Sequence, residues 1–365
     1  MLQEETSTLS ILDEELLSAD DVLMVPKLGI LLSRSDAEIA PYIYSSPMDT
    51  VTGYELTKTM VENNQHPVVC RFLEDEWRKC LKEFYNNPSV FFAIGSKKES
   101  VEFLINELEK IKPEDIENCP PISVAVDIAH GDTVHAHALY RWLSQQPFIG
   151  KIMSGSICTP DAALRVYESG CTHIRVGIGP GSACTTRVMT GCGMPQLSAV
   201  YFTHKMLKAV GANCEIIADG GVRSPGDANK YLAAGATGVM MGNAFSRTEE
   251  SAGWKLESQE VDTSKTVTFP LTRSYRKVKQ YRGQASASFQ KDMFGKSNIC
   301  PEGASSNTFS PEGTCKQVVE KYVGGLQSAI SYLGIKSSSE MNPDNVTFIK
   351  LTQNAYKEGT PHGCS

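Results

Sequence analysis

The segment 177–187, GIGPGSACTTR, contains the residue types in this chain that are best suited to chemistry. Its glycines and proline leave backbone N–H and C=O groups uncovered, and such groups can surround an anion or a cation. Cys184 lies in this loop, with Arg187 close behind it. Peptide dipoles and a nearby guanidinium favour the thiolate, which is the nucleophilic form of cysteine. The pattern predicts a nucleophile at Cys184; on spacing alone, a glycine turn with a bystander cysteine is the alternative.

Two glycine-containing turns predict a phosphate site. Asp219-Gly220-Gly221 and Gly242-Asn243 each follow a short apolar run. Uncovered glycine N–H groups and a short helix N-terminus commonly bind phosphate in this arrangement. Asp219 has two acceptor oxygens and could bind both hydroxyls of a ribose. A pair of ordinary tight turns is the alternative.

Two further turns after apolar runs carry polar side chains. Asp127 and His130 follow one run, and Ser46 and Met48 follow another. Ser46 and Met48 could line a flat ring, although an ordinary strand-to-helix turn explains them equally well. His130 is better explained as a structural histidine than as a functional one.

These residues must be positioned by the elements around them, and the chain shows an eightfold alternation of strand and helix patterns. The predicted strands are 42–46, 67–72, 90–94, 122–127, 149–154, 172–176, 215–219 and 237–241. Helix signals lie between them, among others in 52–64, 74–84 and 159–170. This alternation predicts an α/β fold, a (β/α)8 TIM barrel, whose functional residues follow the strands at one mouth. A doubly wound parallel sheet is the rival, and it usually has fewer strands.

We expect residues 1–365 to form a single barrel domain. Residues 1–41 precede the first barrel strand, and we expect this N-terminal extension to cross the outside of the barrel. Residues 251–320 break the alternation: 261–271 has a strand pattern, and 297–313 is rich in Ser, Asn, Pro and Gly, as in a mobile loop over a site. We therefore predict an inserted flap or finger over 251–320.

Composition and charge narrow the function. The 365 residues include 35 basic and 42 acidic side chains, a formal net charge of −7, which argues against nucleic acid as the main partner. A local basic stretch, 273–282, could meet a phosphorylated ligand. No apolar run is long enough to span a membrane, and the first residues lack a signal-peptide pattern, so we expect a cytoplasmic protein. The 11 cysteines are scattered, and Cys184 and Cys192 have no second pair to complete a zinc site.

Several segments resemble the IMP dehydrogenase/GMP reductase family. The resemblance rests on LSADDVLMVP, SPMDTVTG, DIAHGD, IADGGVRSPGDANKYLAAGATGVMMG, YRGQAS, GGLQSAISYLG and, most specifically, GIGPGSACTTRVMTGCGMPQLSAV. It implies a purine nucleotide whose C2 is attacked by the thiolate of Cys184. It also implies that a hydride moves between that carbon and a nicotinamide cofactor, NADPH or NADH.

The resemblance implies roles for individual residues. The residues expected to hold the 5′-phosphate are Ser182, Gly220, Gly221, Gly242 and Asn243. The other substrate contacts implied are Asp219 on the ribose, Gln284 and Ser286 on the purine edge, and Ser46 and Met48. The cofactor contacts implied are Asp127, on the nicotinamide ribose, with Ala129, Arg71, Gly177 and Gly179. In the dehydrogenases carbonyls of the cysteine loop also bind potassium, which here implies Gly179, Gly181 and Cys184. Family members assemble as homotetramers, often paired into octamers.

The internal architecture resembles GMP reductase more than IMP dehydrogenase. Dehydrogenases usually carry a pair of CBS motifs after the second barrel strand, whereas here 67–84 continues directly towards the next strand. Arg71 and the following EDEW resemble a reductase segment whose lysine contacts NADPH; a plain surface arginine is the alternative. Dehydrogenases also use an Arg-Tyr pair on a long flap to activate water, and 284–300 contains no such pair.

The reductase signature is nevertheless incomplete. GMP reductases follow the purine-contacting serine with a glutamate that works with the threonine of the cysteine loop. Thr186 is present here, but Ala287 stands in place of the glutamate. DIAHGD also resembles the dehydrogenase form. Glu302 could supply the missing carboxylate, or it is a solvated loop charge. A general acid or base is typically worth about 10²–10⁴-fold in rate, so the substitution matters.

Several functions therefore remain open from the sequence. The leading one is NADPH-dependent reductive deamination of GMP to IMP, through a thioimidate on Cys184 with Thr186 as proton relay. The second is altered chemistry on a purine nucleotide, with another nucleophile or substrate. The third is an IMP dehydrogenase without the CBS domain, and the last is a non-catalytic nucleotide-binding relative. The intact pair of Cys184 and Thr186 argues against the last, because binding alone needs no nucleophile.

Overall fold

Eight parallel strands form the centre of the molecule. The computed structural model describes residues 14–111, 120–259, 274–296 and 300–359. After β1 (Val22–Met24), the barrel strands are β2 (Ile43–Ser45), β3 (Val68–Val69), β4 (Phe91–Ile94), β5 (Ile122–Val126), β6 (Ile149–Met153), β7 (His173–Val176), β8 (Glu215–Asp219) and β9 (Gly238–Met241). Each barrel strand lies within a predicted strand, so the TIM barrel prediction is confirmed.

The barrel sheet closes on itself. Its strands pair in parallel in the order β2-β9-β8-β7-β6-β5-β4-β3. A parallel bridge between Tyr44 and His66 then joins the two ends. In that bridge the N–H of His66 donates to the carbonyl of Ile43 at 2.9 Å, and the N–H of Ser45 donates to the carbonyl of His66 at 3.2 Å. The carboxyl ends of the strands therefore form a single ring of loops at one mouth.

Buried apolar side chains explain why the strands could be located from the sequence. One cluster gathers residues from most of the barrel strands: Tyr44, Val68, Phe91, Ala93, Ala125, Met153, Ile217 and Met240. A larger cluster joins other strand residues to the surrounding helices. Strands that are buried on both faces are nearly continuous apolar runs, and such runs stand out in a sequence.

Helices surround the barrel and follow the predicted signals. The described helices are α1 (Tyr54–Glu62), α2 (Glu74–Phe84), α3 (Lys98–Ile111), α4 (Val134–Ser144), α5 (Pro160–Glu168), α6 (Thr186–Thr190), α7 (Gln196–Ala209), α8 (Pro225–Ala233), α9 (Asn243–Ser246), α10 (Ala287–Phe294), α11 (Cys315–Leu333) and α12 (Gln353–Glu358). The N–H of Ala162 donates to the Thr159 hydroxyl at the start of α5, and Gly170 adopts φ +99° after its end. Within the described ranges, no helix is both long and apolar enough to cross a membrane.

The chain before the barrel packs on the helical layer. Strand β1 pairs antiparallel with β13 (Phe348–Lys350), which follows α11 in the chain. Lys230 of α8 donates to the carbonyl of Ala19 at 2.8 Å, and Arg34 donates to Ser328 of α11 at 3.2 Å. These contacts carry residues 19–34 across the outside of α8 and α11.

A small antiparallel sheet follows the last barrel strand. It is formed by β10 (Lys255–Gln259), β11 (Ser274–Arg282) and β12 (Ser305–Phe309), in that order. The strand predicted over 261–271 lies outside the described residues. The composition of 297–313 predicts an irregular loop, whereas part of it forms β12. Pairing with β11 provides backbone hydrogen bonds there, despite the low strand propensity of asparagine.

Candidate active site

A cavity of about 650 Å³ opens at the carboxyl ends of the barrel strands. Most of the site residues singled out from the sequence lie in its wall: Ser46, Met48, Asp127, Ala129, Gly177, Gly179, Gly181, Ser182, Cys184, Thr186, Asp219, Gly220, Gly221, Gly242, Asn243 and Gln284. Arg71 and Ser286 do not line this cavity, and neither does His130, whose side chain is exposed. The barrel thus brings the cysteine loop and both glycine turns to one place.

The cysteine loop pairs with a segment from the far end of the chain. The Cys184 thiol donates to Thr186 Oγ1 at 3.2 Å. The N–H of Thr185 donates to the carbonyl of Glu302 at 2.9 Å, and the N–H of Ala304 donates to the carbonyl of Ala183 at 2.8 Å. Through this pairing Glu302 enters the wall of the same cavity as the thiol and the hydroxyl. A cysteine, a threonine and a glutamate therefore line one cavity.

Arg187 braces the loop through its backbone. Its Nε donates to the carbonyl of Ile178 at 2.8 Å, and its Nη2 donates to the carbonyl of Met194. Gly179 adopts φ +89°, and a Cβ there would lie 2.4 Å from Arg187 Cγ. The sequence predicts that this guanidinium assists the thiol; the structure directs its hydrogen bonds to carbonyl groups instead.

The two glycine turns form a cradle at one end of the cavity. Gly220 and Gly221 adopt φ +84° and +74°, which L side chains rarely adopt. The Asn243 amide donates to Ser182 Oγ at 3.2 Å, which links the second turn to the cysteine loop. A Cβ on Gly242 would lie 3.0 Å from the Tyr281 hydroxyl, so any larger residue would fill the cradle.

Tyr281 is a cavity residue that sequence reasoning missed. Its hydroxyl contacts Met48 Sδ at 3.7 Å. Burial raises the pKa of Tyr281, and a hydrogen bond with Ser182 opposes that effect without cancelling it. The hydroxyl is therefore a neutral donor beside the glycine cradle. Its position inside YRGQAS was the signal available in the sequence.

An alternating row of charges lies at the mouth. Arg71 Nε donates to Asp127 Oδ2 at 3.4 Å, and Arg175 Nη1 donates to Asp127 Oδ1 at 3.3 Å. Arg175 Nε also donates to Asp219 Oδ2 at 2.8 Å. Burial lowers the pKa of Arg175, but the two carboxylates outweigh burial and raise it overall. The two carboxylates predicted to bind riboses are thus joined by the guanidinium of Arg175, whose side chain is 11% exposed. The sequence alone did not single out this arginine.

Ser286 has a local structural role. Its hydroxyl accepts from the N–H of Phe289 at 3.3 Å and caps α10, and the residue is 1% exposed. Ala287, which stands where reductases carry a glutamate, begins that helix. Gln284 does line the cavity, and its amide donates to the carbonyl of Pro47 at 2.6 Å.

The basic stretch does not form one patch within the described residues. Arg276 pairs with Glu257 at 3.0 Å, and Arg282 pairs with Asp49 at 2.7 Å. Lys279 is buried. Partners within the chain therefore use the charges of Arg276, Lys279 and Arg282. Lys277 is exposed, and Arg273 lies outside the described residues.

Comparison with known proteins gives a consistent result. Residues 122–362 match a family model described as the IMP dehydrogenase / GMP reductase domain. An inosine-5′-monophosphate dehydrogenase of Chlorobaculum parvum is 35% identical over 250 residues, covering 66% of this chain and 47% of the relative. One from Nitrosopumilus maritimus is 30% identical over 342 residues, covering 91% and 63%. A GMP reductase of Leishmania donovani is 33% identical over 255 residues, covering 66% and 47%. The chain spans 47% to 63% of the length of these relatives.

Proposed function

The chain belongs to the IMP dehydrogenase/GMP reductase family, and from this premise we propose that it reduces GMP to IMP with NADPH. Members of the family are NAD(P)-dependent oxidoreductases that act on purine nucleoside monophosphates. The observation that carries the proposal is that Cys184, Thr186 and Glu302 line the same cavity as a glycine cradle suited to a phosphate. The lack of an Arg-Tyr pair in 284–300 favours reduction over hydrolysis of the covalent intermediate.

The nucleophile and its proton acceptor are the first part of the mechanism. The sulfur of Cys184 adds to C2 of the guanine, and the amine on C2 leaves as ammonia, which gives a thioimidate. Thr186 Oγ1 already accepts the thiol hydrogen bond at 3.2 Å, so it lies on the path by which the proton leaves the sulfur. Glu302 replaces the glutamate missing at Ala287 and delivers a proton to the departing amine. A nicotinamide cofactor, when bound, would supply the hydride to C2. The sulfur of Cys184 would then leave as the thiolate, which frees IMP.

Substrate binding uses the two glycine turns and the charges beside them. Uncovered N–H groups of Gly220, Gly221 and Gly242 hold the 5′-phosphate, with Ser182 and Asn243 as side-chain donors. Asp219 accepts the ribose hydroxyls, and Arg175 Nε donates to its Oδ2 at 2.8 Å and fixes its orientation. Ser46, Met48 and Gln284 line the cavity along the base.

The cofactor and a monovalent cation have separate candidate residues. Asp127 accepts the ribose hydroxyls of NADPH, with Ala129 and Gly177 in the adjoining wall, and Arg71 stands against Asp127 as a phosphate contact. The carbonyls of Gly179, Gly181 and Cys184 are neutral oxygen donors, the kind that potassium binds. The Gly181 carbonyl already accepts from the N–H of Cys184 at 3.0 Å and keeps a second lone pair for a cation. A bound potassium ion would fix the loop beside the nucleophile.

The wider context follows from the family and the cysteines. Eight described cysteines are free thiols: Cys70, Cys80, Cys158, Cys171, Cys184, Cys192, Cys214 and Cys315. We expect a cytoplasmic location, where such thiols stay reduced. We expect a homotetramer, or an octamer made of two, as in other members of the family.

IMP oxidation is the second candidate, and Glu302 is the observation that favours it. A carboxylate near Thr186 could activate water as well as it protonates an amine, and several similar relatives carry the name inosine-5′-monophosphate dehydrogenase. Nicotinamide absorbance in two mixtures distinguishes the two reactions. The first mixture contains GMP and NADPH, and the second contains IMP, NAD⁺ and potassium. Sustained NADPH oxidation in the first mixture supports the reductase, and sustained NAD⁺ reduction in the second supports the dehydrogenase.

A further inference from the structure

Four consecutive residues of the loop after β2 are each held by a side chain from one short segment. This loop, 47–50, follows Ser46 and forms part of the cavity wall. Gln284 donates to the carbonyl of Pro47 at 2.6 Å, and the Tyr281 hydroxyl contacts Met48 Sδ at 3.7 Å.

The other two contacts are charged. Arg282 donates two hydrogen bonds to the carboxylate of Asp49, at 2.7 and 3.0 Å. Lys279 Nζ donates to the carbonyl of Thr50 at 2.6 Å. Segment 279–284 and loop 47–50 thus form one interlocked unit.

Lys279 ties this unit to a third part of the chain. Its Nζ also donates to the Ser251 hydroxyl at 2.6 Å and to the carbonyl of Ala252 at 2.9 Å. The ring of Trp254 covers the ammonium, with 4.4 Å between Nζ and the ring centroid. The whole residue is 3% exposed. An ammonium has three protons, and here each has its own oxygen acceptor.

We propose that Lys279 is a positioning residue that fixes loop 47–50, and through it the Ser46 and Met48 wall of the cavity, against the small sheet that carries Tyr281 and Gln284. Burying a lysine whose three hydrogen-bond acceptors are uncharged costs free energy of folding. An apolar side chain would cost less free energy in a purely structural role. The effect on nucleotide binding rests on the function proposed above, whereas the effect on the loop does not.

The electrostatic surroundings make this contact sensitive to pH. Burial lowers the pKa of Lys279 to about 7, and the charge of Asp49 only partly opposes the shift. Asp49 is itself paired with Arg282, which in turn contacts Asp292. When Lys279 loses its proton, the neutral amine keeps two donors for three acceptors. In an opened loop the lysine would titrate near its ordinary pKa of about 10.4, so opening takes up a proton above pH 7. The loop is therefore expected to become harder to open as the pH rises from about 7.

The test compares Lys279→Met, Lys279→Arg and Lys277→Met by hydrogen exchange of peptides covering 47–54. The N–H groups of Val51 and Thr52 both donate to the carbonyl of Met48, so their exchange reports directly on the loop. We expect Lys279→Met to speed their exchange on the order of tenfold, whereas Lys277→Met, on an exposed position of the same strand, leaves it unchanged. Above pH 7 the exchange rate of the wild type should rise less steeply with pH than the intrinsic rate does. Lys279→Arg, which stays charged, should abolish that deficit. Unchanged exchange in Lys279→Met, or the same deficit in Lys279→Arg, would overturn the proposal.

Calorimetric titration with GMP then connects the loop to the site. We expect Lys279→Met to bind GMP about tenfold more weakly and Lys277→Met to bind it like the wild type. If Lys279→Met fails to fold, the pH dependence of exchange in the wild type and in Lys279→Arg still decides the matter. If the wild type binds neither GMP nor IMP while the exchange results hold, the proposed function fails and the positioning role stands.

Discussion

At the scale of single residues, the chemistry depends on a small group around one thiol. Cys184 and Thr186 could be identified from the sequence because they lie in a loop with distinctive glycine spacing. Glu302 is distant in the chain, and only the pairing of its backbone with Thr185 brings it to the cavity. Glu302 lies in a Pro-Glu-Gly triplet, and a second such triplet contains Glu312. Glu312 pairs with Arg247 on the surface.

The role of Glu302 can be tested against that natural control. We expect Glu302→Gln to lower kcat by about 10²-fold or more, because the amide cannot transfer the proton that the departing amine needs. The affinity for GMP should change little, since the amide keeps the shape of the side chain. Steady-state kinetics of Glu302→Gln and of Glu312→Gln provide the measurement. The kcat of Glu312→Gln should stay within about threefold of the wild type. Equal kcat values in the two variants would remove Glu302 from the mechanism.

Arg175 shows why some site residues escape sequence reasoning. It lies in β7, whose other side chains are buried, and a charge on such a strand requires a partner there. The sequence THIRV indicates that the arginine needs a charged partner, but it does not show which carboxylates pair with it. The closed barrel decides this, because it brings the ends of β5 and β8 within reach of β7.

At the scale of elements, Arg175 joins the ends of three strands. We expect Arg175→Met to lower the free energy of unfolding by about 3 kcal/mol or more, because it leaves the carboxylates of Asp127 and Asp219 without their shared buried partner. Urea denaturation measures the change. Arg276→Met removes an exposed ion pair with Glu257 and should cost less than about 1 kcal/mol. Similar losses of unfolding free energy in the two variants would mean that the Arg175 network contributes no more than an exposed ion pair.

The barrel elements were more predictable than the small sheet. Continuous apolar runs such as 90–94 fix a buried strand whatever surrounds it. The segment over β12, SSNTF, has no apolar alternation, and its strand exists because β11 offers an edge to pair with. The role of Ser286 was missed for a related reason, since a serine before a helix serves equally well as a cap or as a ligand contact.

At the scale of the whole molecule, two histidines whose rings pack around Tyr44 couple folding to pH. Burial lowers the pKa of His66 to about 4 and that of His173 to about 3, and Lys151 adds to both shifts. In the unfolded chain a histidine titrates near pH 6.5, at about its ordinary value. As the pH falls below that value, the unfolded chain binds protons at both histidines, whereas the folded protein leaves them unprotonated until a lower pH. Stability that is fully present above pH 6.5 is therefore lost progressively towards pH 3.

This coupling predicts a measurable loss of stability. Between pH 7 and pH 4 we expect the free energy of unfolding to fall by about 3 kcal/mol or more. Replacing His173 by Gln should make the dependence shallower, whereas replacing the exposed His135 should not. Urea melts at a series of pH values give the slopes. If the slope of the His173→Gln variant equals that of the wild type, the buried histidine is not the group responsible.

The central claim is that Cys184 serves reductive deamination, and the release of ammonia from GMP tests it most directly. Purified protein is given GMP and NADPH, and both the fall in nicotinamide absorbance and the ammonia formed are followed over many turnovers. We predict equal amounts of NADPH oxidised and ammonia released, with both lost in Cys184→Ala while its affinity for GMP stays within about tenfold of the wild type. Turnover that persists in Cys184→Ala would contradict the account. Sustained reduction of NAD⁺ with IMP, together with no oxidation of NADPH with GMP, would contradict it as well.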